Sequence, residues 1–198
     1  MHLLGVRRRR ANSTRVWVGN WLRCVTECRM KFSAPSVKMK RVAANKGVQS
    51  VLSSAEVEFL RREGIASGFF SLASNVSLRV IYVGTTPLVR LAASGPFCSI
   101  ALEPGTGRVL EVVDKNPISS TLVNSSLPLF NASVVMLCER FPFAPLGSEP
   151  DVTSAAADQI AVLLREIDEP AVARGTFWDD IIEKIRMGDF SLEVLQIG

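Results

Sequence analysis

STLVNSSLPLF, Ser120 to Phe130, decides how this chain folds. It sets three small polar residues, Asn124, Ser125 and Ser126, inside an otherwise apolar run. A serine and an asparagine among leucines can be parts of a catalytic site, or they can start a helix. Downstream, Leu127, Phe130, Val134 and Leu137 recur at steps of three and four, the period of a helix with one apolar face. With Ser125 or Ser126 as N-cap, the hydroxyl accepts a first-turn N–H that has no partner inside the helix. Pro128 then falls in the first turn, where its missing N–H costs nothing. The cap accounts for both the type and the position of the serines, so the helix reading is preferred to the catalytic one.

Upstream the period changes. Ser77–Gly84, Pro87–Ser94, Phe97–Leu102 and Arg108–Asp114 are short runs rich in β-branched residues, bounded by Gly and Pro, and are read as strands. Glu103–Gly107, EPGTG, links the last two and supplies glycines for positive φ, as a hairpin requires. It lacks the GK[ST] ending of a phosphate loop, and no helical pattern follows it. Ahead of the strands, Ser53 and Glu56 have capping-box spacing, with Leu52 and Val57 as the staple and Gly64 as the stop.

The last third is helical. Ala156, Ile160, Leu163, Leu164 and Ile167 form one face, interrupted at Asp168, Glu169 and Pro170. Thr176 with Asp179 caps a final helix whose stripe is Phe177, Ile181, Ile182 and Ile185, with Gly188 after it. Helix, antiparallel sheet, then helices make an α+β fold: a single domain with the sheet flanked by helices, preceded by a disordered basic segment. The expected boundaries are 1–47 for that lead-in and 48–198 for the domain.

Charge divides along the same line. Met1–Ser50 holds twelve Lys and Arg against one acid, Glu27, whereas eleven bases face eighteen acids from Val51 onward. An acidic body suits a basic protein partner better than it suits nucleic acid. The lead-in, with its Arg7–Arg10 run, has the composition of a disordered tail, an organelle transit peptide or a start placed ahead of Met39. A mean hydropathy of +0.23 supports a sizeable core, yet no apolar run approaches membrane-spanning length. Cys24 and Cys28 lie in the lead-in, and Cys98 and Cys138 in apolar surroundings that suit buried free thiols. Nothing suggests a secreted disulfide scaffold, and a cytoplasmic protein is expected.

Much catalytic chemistry is missing. The one histidine is His2, so the body contains no Ser–His or Cys–His pair and no histidine for a metal. No GxSxG, P-loop or GxGxxG occurs. Asp179 and Asp180 are adjacent and point to different parts of a helix surface. No catalytic residue, metal ligand or cofactor is assigned, and the expectation is a protein that is not an enzyme. A carboxylate site formed only in the tertiary fold stays open.

Five stretches in order resemble the fourth family of the SUKH superfamily of bacterial immunity proteins. They are FLRREGI (Phe59–Ile65), with Ala66 where that family has proline; ALEPGTGRV (Ala101–Val109), with Glu103 where aspartate is usual; LVNSSLPLF (Leu122–Phe130); IDEPAV (Ile167–Val172); and GTFW (Gly175–Trp178). The resemblance spans about Val48 to Phe190. It implies a protein that protects a bacterium by binding a toxin domain directly, such toxins often being nucleases or nucleic-acid deaminases. An acidic inhibitor can occupy the basic groove of such a toxin, with electrostatic steering. Glu103, Glu111 and Asp114 are the candidate partner-binding residues. The alternatives are a regulatory interaction module on the same scaffold, and a nucleic-acid binder acting through the Arg-rich lead-in.

Overall fold

In a computed structural model, which describes residues 37–67, 78–93, 97–114, 118–145 and 147–190, two short strands precede a five-stranded meander. The short pair is β1 (Lys38–Lys40) and β2 (Ile65–Ser67). The meander is β3 (Arg79–Val83), β4 (Thr86–Ala93), β5 (Cys98–Leu102), β6 (Val109–Val113) and β7 (Ser119–Asn124), each antiparallel to the next. The α+β class and the antiparallel sheet expected from sequence are both present. Register shifts between Arg90 and Ala92 and between Val109 and Leu110 mark irregularities that bend the sheet.

Alternation along the strands gives the sheet two faces. Val89, Ile100, Leu102, Val109 and Val123 join the main core with the helices. Leu88, Ala101, Leu110 and Val112 form a smaller cluster of their own, with Ile81, Val83 and Leu122 beside it.

The four longer helices follow the sequence signals closely, whereas the short first one is not among the expected elements. α1 (Lys46–Gln49) is capped by Asn45, whose side chain accepts the Val48 N–H at 3.0 Å. α2 (Ser54–Arg62) has both halves of the Ser53–Glu56 capping box. Ser126 caps α3 (Leu127–Arg140), its Oγ accepting from Leu129 N at 3.4 Å, and Leu127, Phe130, Val134 and Leu137 are all buried. α4 (Pro150–Ile167) buries Thr153, Ala157, Ile160 and Leu164, a face turned slightly from the expected one, with Ala156 and Leu163 on its border. A 3₁₀ turn (Glu169–Val172) precedes α5 (Phe177–Arg186), which buries Phe177, Trp178, Ile181, Ile182 and Ile185.

Three features depart from the sequence reading. β7 carries no strand signal of its own, because SSTLVN holds only two apolar residues, Leu122 and Val123, among small polar ones; pairing along β6 holds it in the sheet. Regular structure also precedes Val48. β1 pairs with β2 through its backbone, and its sequence, KMK, has no apolar pattern to announce it. Gly64, at φ +80°, lies against this strand: a Cβ there would sit 2.4 Å from the Lys40 carbonyl oxygen. Third, the Thr176 hydroxyl does not cap α5. It donates backward to the Ala171 and Ala173 carbonyls, while Asp179 accepts the Gly175 N–H at 2.8 Å.

The basic lead-in up to residue 36, including His2, Arg7–Arg10, Cys24 and Cys28, lies outside the described residues. Cys98 and Cys138 are buried. No helix among the described residues is long and apolar enough to cross a membrane.

Candidate functional site

The three polar residues of the opening stretch divide their work. Ser126 caps α3, while Asn124 and Ser125 enter a buried hydrogen-bonded node. Asn124, fully buried at the end of β7, donates through Nδ2 to Asp168 Oδ2 at 3.0 Å and to Ser133 Oγ on α3 at 3.1 Å. Its Oδ1 accepts the indole N–H of Trp178 at 3.0 Å. Ser125 gives Asp168 two further donors: its N–H to Oδ2 at 2.6 Å and its hydroxyl to Oδ1 at 2.8 Å.

Each member is placed by its own element. Asp168 is the C-cap of α4, where the chain leaves the helix at φ −156° and ψ 87° before Pro170. That conformation turns its carboxylate inward, and the residue is only 4% exposed. A buried carboxylate without hydrogen bonds would cost several kcal/mol, and the donors from Asn124 and Ser125 supply what burial removes. Trp178, in the first turn of α5, stacks edge-on with Phe177 at 4.9 Å and buries its ring while its N–H is satisfied. The node thus ties β7, α3, the α4 terminus and α5 together.

As chemistry, the node is a clamp. The Ser125 proton is committed to a carboxylate oxygen, with no imidazole between the two to act as a base. Among the described residues no group of three or more His, Cys, Asp or Glu is placed to hold a metal ion. An apolar hollow lined by Phe143, Ala144, Ile185, Gly188 and Phe190 contains no carboxylate.

A second tie holds the β1–β2 ribbon. Asn131, buried on α3, accepts the Ala66 N–H through Oδ1 at 2.9 Å and donates through Nδ2 to the Gly64 carbonyl at 3.0 Å. One side-chain amide thereby satisfies a backbone donor and a backbone acceptor that the short strand would otherwise bury unpaired. In the sequence Asn131 reads only as part of a helix, although a polar residue beside Phe130 on the apolar side is a visible signal.

The three acidic candidates occupy different environments and do not converge. Glu103 opens the hairpin and is engaged there: it accepts the Thr106 hydroxyl and pairs with Arg108 at 2.7 Å, leaving its side chain 16% exposed. These partners hold its carboxyl below the usual range, the Thr106 hydrogen bond most of all. Glu111 is buried on β6, within electrostatic reach of Lys184 on α5. Asp114 is exposed at the end of β6, where its N–H donates to the Phe97 carbonyl at 2.7 Å.

Most of the acidic charge lies elsewhere. Residues 149–190 hold ten acids against four bases. Glu149, Asp151, Asp158, Glu166, Glu169, Asp180 and Glu183 are exposed on this helical layer. Residues 78–125 hold three acids and four bases, so the sheet contributes little of the body's negative charge.

The SUKH-4 immunity protein family matches residues 76–184, more than half of the chain. Asn124, Asp168 and Trp178 lie inside the matched region, whereas the β1–β2 ribbon and Phe59–Ile65 lie ahead of it. No curated protein and no solved structure matches the chain. The chain belongs to the SUKH-4 immunity protein family.

Proposed function

We propose that this SUKH-4 immunity protein neutralises a cognate toxin domain by binding it directly, one to one, without catalysing a reaction. The observation that carries this reading is the division of labour among its polar residues. Asn124, Ser125, Asp168 and Trp178, which have the residue types of an active site, are spent on one another inside the fold. What remains for a partner is charge on the surface, and that charge is negative over the helical layer.

A toxin that acts on nucleic acid, whether nuclease or deaminase, presents a basic substrate groove. Exposed carboxylates steer such a partner and raise its association rate. Asp114 is the most available of the three acids singled out from sequence, and Glu166 and Glu169 extend the negative field at the far end of α4. Binding of this kind takes place in the compartment where the toxin acts, which for a nucleic-acid target is the cytoplasm.

The test is protection. The reading predicts a toxin gene beside this one, and the toxin domain it encodes is expressed in a host with and without the chain. Restored growth with the wild type, and reduced protection by a Glu166→Lys, Glu169→Lys double variant that folds normally, support the reading. Failure of the folded wild type to protect contradicts it.

A further inference from the structure

The sheet has two edges, and they differ. At β7, the helices α3 and α5 and the 3₁₀ turn pack alongside, and the backbone that follows is engaged by Asp168. At β3, the helix α1 reaches the start of the strand, where Asn45 Nδ2 donates to the Leu78 carbonyl at 3.0 Å. Beyond that point, β4 is the strand neighbour of β3 among the described residues. Exposed edges are usually blunted by charged side chains, proline or a bulge; Arg79–Val83 has no proline and no bulge, and its one charge, Arg79, stands at the first position of the strand. It also presents Tyr82, an aromatic residue 63% exposed.

The hairpin geometry fixes which backbone groups face outward. Gly84 and Thr85 are the two residues between β3 and β4, and Gly84 has φ +61°. A two-residue link makes the flanking pair, Val83 and Thr86, a hydrogen-bonded one. Alternation then turns the N–H and C=O groups of Arg79, Ile81 and Val83 toward β4. Those of Val80 and Tyr82 point away from the sheet.

We propose that this edge is the interface of a homodimer, in which a second copy adds its own β3 antiparallel across a two-fold axis at Ile81. This register pairs all five residues of the strand. Ile81 meets Ile81 of the second copy, Val80 meets Tyr82, and Arg79 meets Val83. The outward N–H and C=O groups of Val80 and Tyr82 then satisfy one another in both directions. The Tyr82 ring lies beside Val80 of the other copy, an aromatic and β-branched cross-strand pair of the favourable kind. The two Arg79 side chains fall at opposite ends of the pairing, roughly 13 Å apart, so the one charge on the strand does not oppose its copy. The axis is perpendicular to the sheet, so Ile81, Val83 and Leu88 of both copies line one continuous apolar face.

Light scattering and sedimentation of the full chain test this. The expected mass is twice 21.6 kDa at high micromolar concentration, falling toward the monomer on dilution. Tyr82→Lys, which alters an exposed side chain, is expected to be monomeric, with a thermal midpoint equal to that of the wild type at dilutions where the wild type is also monomeric. Ile81→Cys is expected to form a disulfide between the introduced thiols of the two copies on oxidation, identified by peptide mapping. Facing residues at a non-hydrogen-bonded position approach to about 4.5 Å between Cα atoms, within disulfide reach. Arg79→Cys, whose copies lie far apart, is expected not to cross-link through its introduced thiol. A wild type that stays monomeric at every concentration overturns the proposal, including the case where the edge instead takes residues 191–198 or a strand of a toxin. So does a dimer that Tyr82→Lys leaves intact and that Ile81→Cys fails to cross-link through the introduced thiol.

Discussion

Trp178 donates its indole N–H to Asn124 Oδ1 at 3.0 Å, joining residues 54 positions apart in the chain. The bond is buried on both sides, and the same asparagine also reaches Asp168 and Ser133. Asn124→Ala leaves the indole N–H without its acceptor and removes one donor from Asp168. Urea denaturation is expected to show a loss of about 2–4 kcal/mol. A loss under about 0.5 kcal/mol would mean that the node does not hold the fold together.

Because Asn124 and Asp168 share one network, their effects are not additive. In a double-mutant cycle of Asn124→Ala and Asp168→Ala, the second truncation is expected to cost less once the first is present. The coupling is expected at about 1 kcal/mol or more. Additive losses contradict a shared node.

The ribbon of β1 and β2 depends on one amide. Asn131→Leu keeps the bulk and removes both hydrogen bonds to Ala66 and Gly64. A loss of about 2–3 kcal/mol is expected, together with faster hydrogen exchange at the Ala66 amide. Unchanged Ala66 protection would show that the strand is held some other way.

Gly64 is tied to the same ribbon by sterics. Its positive φ disfavours any side chain, and an alanine Cβ would collide with the Lys40 carbonyl rather than with a side chain that can move. Gly64→Ala is therefore expected to lower stability by about 2 kcal/mol or more, whereas Gly105→Ala, with open space around its Cβ, meets only the cost of positive φ. Equal losses at the two sites in thermal denaturation would remove the backbone approach as the cause.

Alkaline stability carries two opposing contributions. Burial pushes Lys184 down to about 8 from 10.5, against the attraction of Asp180, Glu111 and Asp189. Between these values the unfolded chain holds a proton that the folded chain has released, so this residue makes stability rise with pH from about 8 to 10.5. Burial pushes the Cys138 thiol up from 9.0 to about 11, with a smaller push from Glu139. There the folded chain keeps a proton the unfolded chain loses, so stability falls with pH across that window. Relative to Lys184→Met, the wild type is expected to gain stability from about pH 8 to about pH 10. Relative to Cys138→Ala, it is expected to lose stability from about pH 9 to about pH 11. A pH-independent difference in either comparison contradicts the corresponding assignment.

Local signals in the sequence are the most legible. Ser126, the Ser53–Glu56 box, the EPGTG turn and the Phe177–Ile185 stripe follow from chemistry within a few residues. β7 and the β1–β2 ribbon are hidden because neighbouring strands hold them more than their own composition does. The node is visible only in pieces. Asn124, the Asp168 break and the Gly175–Trp178 helix start stand out as landmarks of the family resemblance, but their meeting depends on the packing of α4 and α5 against β7. The negative charge is legible as a total, whereas its concentration on the helical layer, away from Glu103, Glu111 and Asp114, requires the fold.

The central claim is that this protein acts by stoichiometric binding. The direct measurement is a titration of the cognate toxin domain's activity with the full chain, at fixed toxin concentration well above the dissociation constant. Stoichiometric binding predicts a linear fall in activity that reaches zero at one equivalent and does not deepen with incubation. Inactivation that goes to completion below one equivalent, or activity unchanged by an excess of the folded chain, would contradict it.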